Sequence, residues 1–178
     1  MKKTSKYIAY LLRHNPSAAE LPMDENGWVE VRMLIEGVCK TGRQLDIETL
    51  TEIVETDEKQ RFSFNEDGSK IRANQGHSLR VDVEMKELAP PAVLYHGTAE
   101  KYLASIREKG ILKQTRNYVH LSKNPETAQR VGKRHGTSVV LQVDAQKMHK
   151  DGYRFFLSAN GVWQIEHVPY CYVTEEIR

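Results

Sequence analysis

Cysteine is scarce in this 178-residue chain: the two present, Cys39 and Cys171, lie far apart and fit no metal-ligand spacing. No disulfide framework is therefore expected, and a reducing cytoplasm is the simplest setting. Long apolar runs are missing as well. No stretch approaches the ~20 residues that a membrane span needs. The opening MKKTSKYIAYLLRHN breaks its apolar part with Arg13 and His14 and shows no small-residue cleavage site, so no signal peptide is expected. Net charge is slight: 26 Lys and Arg against 24 Asp and Glu give +2, too mild to indicate a nucleic-acid partner by itself. No G-x-G-x-x-G follows a strand-like run, which excludes an ordinary Rossmann dinucleotide site. GKRHGTS lacks the spacing of a phosphate loop, no His pair stands four apart around a Glu, and Ser158 lies in no nucleophile elbow. A site without metal is the expectation that remains.

What is present is 39% hydrophobic and 28% charged sequence, the balance of a folded domain or of two small ones. Positive residues gather beside histidines and turns: Arg13 with His14, Lys59 to Arg61, Arg72, and Lys133, Arg134 and His135. The first half reads as helices followed by a hairpin. A helix is predicted from a Thr4 N-cap to about Asn15, where Pro16 forces an extended residue before it. Tyr7, Leu11 and His14, flanked by Ile8 and Leu12, form its stripe. VEVRMLIEGV predicts a second helix. A third spans roughly residues 46–56, with Ile47, Leu50 and Val54 on one face. In KQRFSFNEDGSKIRANQ, apolar and polar residues alternate on either side of Asp67 and Gly68, which predicts a β-hairpin. Three helices and a hairpin is the order of a winged-helix module, a fold often used on nucleic acid.

Pro90 and Pro91 mark the expected linker, dividing the chain into lobes at 1–88 and 92–178. The second lobe alternates short strands and helices. AVLYHGT, NYVHLS, TSVVLQVDA, RFFLSA and VWQIEHV predict strands, the last two joined at Asn160 and Gly161. EKYLASIREKG predicts a helix stopped by Gly110, and NPETAQRVGKRHG a helix with Asn124 as its cap. This pattern argues for α+β architecture rather than a doubly wound sheet.

Several residues admit two readings. Arg13 and His14 suit compensation of a helix dipole, worth about 0.3–1 kcal/mol, and equally a phosphate clamp built on the planar guanidinium fork. Arg61 reads as an exposed strand residue or as part of that clamp. Lys133, Arg134 and His135 read as a solvated helix end or as anion ligands. YHGT and VHLS each set a His near a small or polar residue at a predicted strand end. There a glycine would admit a ligand to the backbone, and a hydroxyl or imidazole could bond a ribose.

In order, TSKYIAYLLRHNP, DENGWVEV, KQRFSF, IRANQGHS, LYHGT, VHLS, VGKRHG and SANGVW resemble the motifs of the NAD-dependent RNA 2′-phosphotransferase family, over nearly the whole chain. The opening TSKYIAY departs from a more usual Leu-Ser-Lys-x-Leu-Ser. The resemblance implies a winged-helix lobe and a β-rich lobe of ADP-ribosyltransferase type, with the active site in the cleft between them. It implies Arg13, His14, Arg61 and Arg134 as the catalytic set, Arg134 being preferred to Arg130 because it sits between the framing glycines. His96, Gly97, Thr98, His120 and Ser122 would then bind NAD, with Asn74, His77 and Ser78 beside them. The expected partners are NAD⁺ and an RNA bearing a 2′-phosphate, spliced tRNA being the obvious one, with no metal, membrane or obligate protein partner.

The implied chemistry has two steps. A phosphate oxygen displaces nicotinamide from the ribose, and the ribose 2″-hydroxyl then attacks phosphorus, which yields RNA 2′-OH and ADP-ribose 1″,2″-cyclic phosphate. The attacking phosphate needs positioning rather than a base. Many ADP-ribosyltransferases place a Glu near the last strand of the sheet. If Val162 or Trp163, which follow the turn here, fills that place, its lack of charge avoids repelling the phosphate. His14 suits either a proton acceptor or a phosphate ligand. Two alternatives use the same sequence. One is a transferase that leaves ADP-ribose on a nucleic-acid phosphate or protein. The other is a winged-helix regulator, disfavoured by the acidic DIETLTEIVETDEK.

Overall fold

The computed structural model describes residues 2–178. The chain divides into two compact units, one ending at Glu84 and the other spanning Met85–Arg178. The division falls a few residues before Pro90, because Lys86 and Glu87 pair with a strand of the second unit.

The first unit opens with helix α1, Lys2–Arg13, which buries Ile8, Leu11 and Leu12. It starts earlier than expected, so Thr4 lies within the helix rather than capping it. It also stops at Arg13, since Asn15 adopts φ −151° ahead of Pro16, outside the α region. Strand β1, Val29–Glu30, has no counterpart among the predicted elements: two residues are too short to show alternation. Helix α2 covers Val31–Lys40 and helix α3 covers Ile47–Glu55. Asp46 caps α3 by accepting the Thr49 N–H at 2.8 Å. Ile47, expected on the buried face of α3, is 46% exposed, and Ile53 packs inward with Leu50 instead. Strands β2, Phe62–Phe64, and β3, Lys70–Ala73, form the predicted hairpin, and β1 joins the other edge of β3. The register sets Phe62 opposite Ala73 and Phe64 opposite Ile71. The core of this unit gathers α1, α2, α3 and the inner face of the sheet around Leu34, Leu50 and Ile71.

The second unit contains strands β4, Lys86–Glu87, and β5, Val93–Ala99, then helix α4, Leu103–Lys109, and strand β6, Ile111–Leu112. Strand β7, Val119–Leu121, helix α5, Pro125–Gly132, strand β8, Ser138–Asp144, and helix α6, Ala145–Lys150, follow. Strands β9, Phe156–Leu157, β10, Trp163–Ile165, β11, His167–Val168, and β12, Val173–Ile177, complete it. One sheet runs β4-β9-β10-β7, another β12-β8-β5, and β11 pairs with β6. An isolated bridge between Tyr95 and Ser122 ties β5 to the end of β7 and joins the two larger sheets. All strand pairings among the described residues are antiparallel, so the mixture of helix and strand is of the α+β kind. Among the described residues no helix is long and apolar enough to cross a membrane.

Candidate active site

Every helix ends with carbonyls that lack intrahelical partners. At the end of α1 the Arg13 carbonyl accepts the Ser78 N–H at 3.0 Å, while the Ser78 hydroxyl meets His14 Nδ1 at 2.9 Å. Ser78 thus grips the closing turn with backbone and side chain, and sets the imidazole in one orientation. A cation that merely balances a dipole can stay in water. Arg13 does not: its Nε and Nη2 are both shielded from solvent.

Arg61 is placed by a different device. Gln60, just before it, has φ 44°, a left-handed conformation that needs support in a residue other than glycine. Asn74, 3% exposed, supplies it. Its amide donates to the Gln60 carbonyl at 2.6 Å, its Oδ1 accepts the Ser63 hydroxyl at 2.8 Å, and its N–H donates to the Arg61 carbonyl at 2.8 Å. Asn74 therefore holds the backbone that carries Arg61. The Arg61 guanidinium is ion-paired with Asp57, a residue passed over in the sequence because it precedes the hairpin. His77 is buried to the same degree as Asn74. Residues 74–78 thus connect the Arg61 segment at one end to Arg13 and His14 at the other. Arg72, of the same basic sequence group, is engaged elsewhere: it donates to Glu84 at 3.0 Å and lies 4.3 Å over the Trp28 ring.

In the second unit His96, Gly97 and Thr98 lie within β5, not at its end, opposite Leu141, Val140 and Val139. His96 Nδ1 is 3.0 Å from the His120 carbonyl. A carbonyl only accepts, so Nδ1 carries the proton and Nε2 is the acceptor nitrogen of the neutral ring. Burial pushes the His96 pKa below the usual histidine value; the His120 carbonyl opposes the shift and nearby His135 adds to it. The Tyr95–Ser122 bridge closes the group, so His96, His120 and Ser122 are gathered in one place. Gly97 also has a packing role. A Cβ there would stand 1.7 Å from the Ala128 carbonyl oxygen of α5, and one at Gly132 would stand 2.5 Å from the Thr98 carbonyl oxygen. The two glycines let α5 lie directly on β5.

Arg134 and Arg130 are both exposed, Arg134 on the turn after α5 and Arg130 on α5 itself beside Thr127. Arg116, which the sequence did not single out, is half-buried just before β7, and its burial lowers its pKa. Gln164 is a second omission. It is buried on β10 opposite His120 and donates to Met85 Sδ at 2.9 Å. The near-continuous apolar run VWQI concealed it. Trp163 is buried beside it, and its indole Nε1 makes no hydrogen bond among the described residues. Val162 donates its N–H to Ser158 Oγ at 3.1 Å, which shapes the Asn160 and Gly161 turn. Among the described residues no three His, Cys, Asp or Glu side chains converge as around a metal ion.

The family model described as "RNA 2′-phosphotransferase, Tpt1 / KptA family" matches residues 1–167. A protein of Acaryochloris marina named probable RNA 2′-phosphotransferase is 49% identical over 175 residues, 98% of this chain and 97% of its own. Proteins of the same name from Fusobacterium nucleatum and Flavobacterium johnsoniae are 49% and 46% identical over 94% and 97% of this chain, each along 94% of its own length.

Proposed function

The chain belongs to the RNA 2′-phosphotransferase, Tpt1 / KptA family, and from that membership we propose that it removes a 2′-phosphate from RNA by transfer to NAD⁺. The observation that carries the reading is the arrangement at residues 74–78. One short segment positions the Arg61 backbone through Asn74, and holds the Arg13 carbonyl and the His14 imidazole through Ser78. Two guanidinium groups and an imidazole so held suit a phosphate dianion, and the fixed backbone lowers the entropic cost of gripping it.

In this reading the first unit is a winged-helix-type lobe that holds the RNA 2′-phosphate. The second is an ADP-ribosyltransferase-type lobe that takes NAD⁺ along His96, Thr98, His120 and Ser122, with Gly97 securing the strand beneath. A phosphate oxygen attacks the anomeric carbon of the nicotinamide ribose; that C–O bond forms as the bond to nicotinamide breaks. No base is needed, since the nucleophile is already anionic. The 2″-hydroxyl next attacks phosphorus and loses its proton, for which His14 is the candidate acceptor. The bond to the RNA 2′-oxygen breaks and that oxygen takes up a proton from solvent, releasing 2′-OH RNA and ADP-ribose 1″,2″-cyclic phosphate. Arg13 and Arg61 stabilise the charge that builds on the phosphoryl oxygens. For the fourth cation of the site, family resemblance offers Arg134, whereas its partial burial recommends Arg116. A guanidinium already stripped of some water gains more from an anion than a fully solvated one.

The test is incubation of the purified protein with NAD⁺ and a short RNA carrying one internal 2′-phosphate, with chelator present. Loss of that phosphate with release of nicotinamide and a cyclic ADP-ribose phosphate is the expected result. Accumulation of stable ADP-ribosylated RNA would assign a transferase that stops after the first step. An unchanged 2′-phosphate with folded protein would overturn the reading.

A further inference from the structure

Helix α1 carries four cations, Lys2, Lys3, Lys6 and Arg13, and no acid. Lysines in a first turn oppose the helix dipole, which favours acids there. Their placement therefore does not serve helix stability. Lys3, Tyr7, Tyr10 and His14 follow at intervals of four, three and four, which puts them on one face of the helix. The rings on this face are in register with each other. Tyr7 and Tyr10 are stacked with centroids 6.3 Å apart, and Tyr10 and His14 lie 6.4 Å apart. The Arg43 guanidinium covers Tyr7 at 3.7 Å and closes the far end of the row. Tyr10 combines exposure with rigidity. It is 44% exposed, yet its hydroxyl accepts from Asn15 Nδ2 at 2.9 Å, and Asn15 Oδ1 in turn accepts from Ser17 at 2.7 Å. An exposed ring normally keeps its freedom; this one is fastened at its outer edge and leads directly to His14.

We propose that this face of α1 is a stacking platform for the single-stranded RNA flanking the 2′-phosphate. The Tyr10 ring takes a neighbouring base, and Lys3 and Lys6 meet backbone phosphates. The inference rests on the proposed function, which puts the 2′-phosphate at His14. A rigid aromatic surface within a lysine field is the combination that single-stranded nucleic acid recognises, and it tolerates any base sequence. Because Tyr10 is fixed beforehand, less conformational freedom is lost when a base lands on it.

The test uses the full chain and a fluorescently labelled single-stranded RNA of about ten nucleotides with one internal 2′-phosphate. Tyr10→Ala is expected to weaken binding on the order of ten-fold, and to raise KM for this RNA more than it lowers kcat. Tyr10→Phe, which keeps the ring, is expected to bind within a few-fold of the wild type. Replacing Lys3 and Lys6 by Gln should flatten the dependence of log affinity on log salt by about 1.4, that is, about 0.7 for each phosphate no longer neutralised. Wild-type affinity and KM in Tyr10→Ala would overturn the proposal. So would Tyr10→Ala leaving RNA binding intact while abolishing binding of a polyglutamate peptide, an outcome that points to an acidic protein partner. Turnover of the same RNA by the wild type tests the function separately, and the binding measurement decides the platform whichever way that falls.

Discussion

Asp57 holds Arg61 twice: its carboxylate is ion-paired with the guanidinium, and its Oδ2 accepts the Arg61 N–H at 2.7 Å. The carboxylate side chain is only 7% exposed, against 31% for the arginine. A side chain tied in this way presents its remaining nitrogens in a fixed direction. Asp57→Ala is expected to lower kcat/KM for a 2′-phosphorylated RNA by roughly 10- to 100-fold, the scale of a misplaced positioning group. Asp57→Asn should fall between, since its oxygen can still accept the backbone N–H. Steady-state kinetics beside a thermal melt separates this from unfolding; unchanged kinetics in Asp57→Ala would remove Asp57 from the site.

Arg13→Ala and Arg61→Ala are each expected to abolish product formation while the protein keeps its fold. Both groups are assigned to stabilising charge that develops on the phosphoryl oxygens. Circular dichroism and a single-turnover assay with labelled RNA check this, and wild-type turnover in either variant refutes the clamp.

The fourth cation is decided by comparing Arg116→Ala, Arg134→Ala and Arg130→Ala. The desolvation of Arg116 predicts that its loss costs the most, on the order of 10²-fold in kcat, with Arg130→Ala close to wild type. A larger loss in Arg134→Ala would return the assignment to the turn after α5.

Gly97→Ala is expected to destabilise the second unit by about 3 kcal/mol or more, above the usual cost of overpacking, because the obstacle is backbone. The added carbon would stand 1.7 Å from the Ala128 carbonyl oxygen, and no rotamer change relieves that. Denaturant melts should show the loss; a variant as stable as the wild type would mean that α5 can lift from β5 freely.

The depressed pKa of His96 gives a pH dependence of stability with a definite sign. The unfolded chain binds this proton at a higher pH than the folded one. The contribution of neutral His96 is therefore present above the ordinary histidine range and is lost as pH falls through the folded value. Stability should drop on acidification from pH 8 toward pH 5, and less steeply in His96→Asn. Identical pH profiles for the two proteins would show that His96 is not the group responsible.

Much was legible from local rules. Pro16 stopped α1, Asp67 and Gly68 turned the hairpin, and Asn160 and Gly161 turned the chain again ahead of β10. Each of these depends on the conformational limits of a few consecutive residues. The misjudged face of α3 had a different origin. Ile47, Leu50, Ile53 and Val54 are all apolar, and only the neighbours that pack on them decide which point inward.

The candidate site divides along the same line. Residue type and order alone singled out Arg13, His14, Arg61, His96 and His120, because guanidinium and imidazole announce anion and hydroxyl chemistry wherever they stand. That Asn74 serves the Gln60 and Arg61 backbone, that Ser78 fastens His14, and that a side chain at Gly97 would strike α5 required the folded chain. So did the partial burial of Arg116. Hydrogen-bond partners, burial and steric clearance are relations between segments distant in sequence. Nearest-neighbour chemistry carries no record of them, and they arise only when packing brings those segments together.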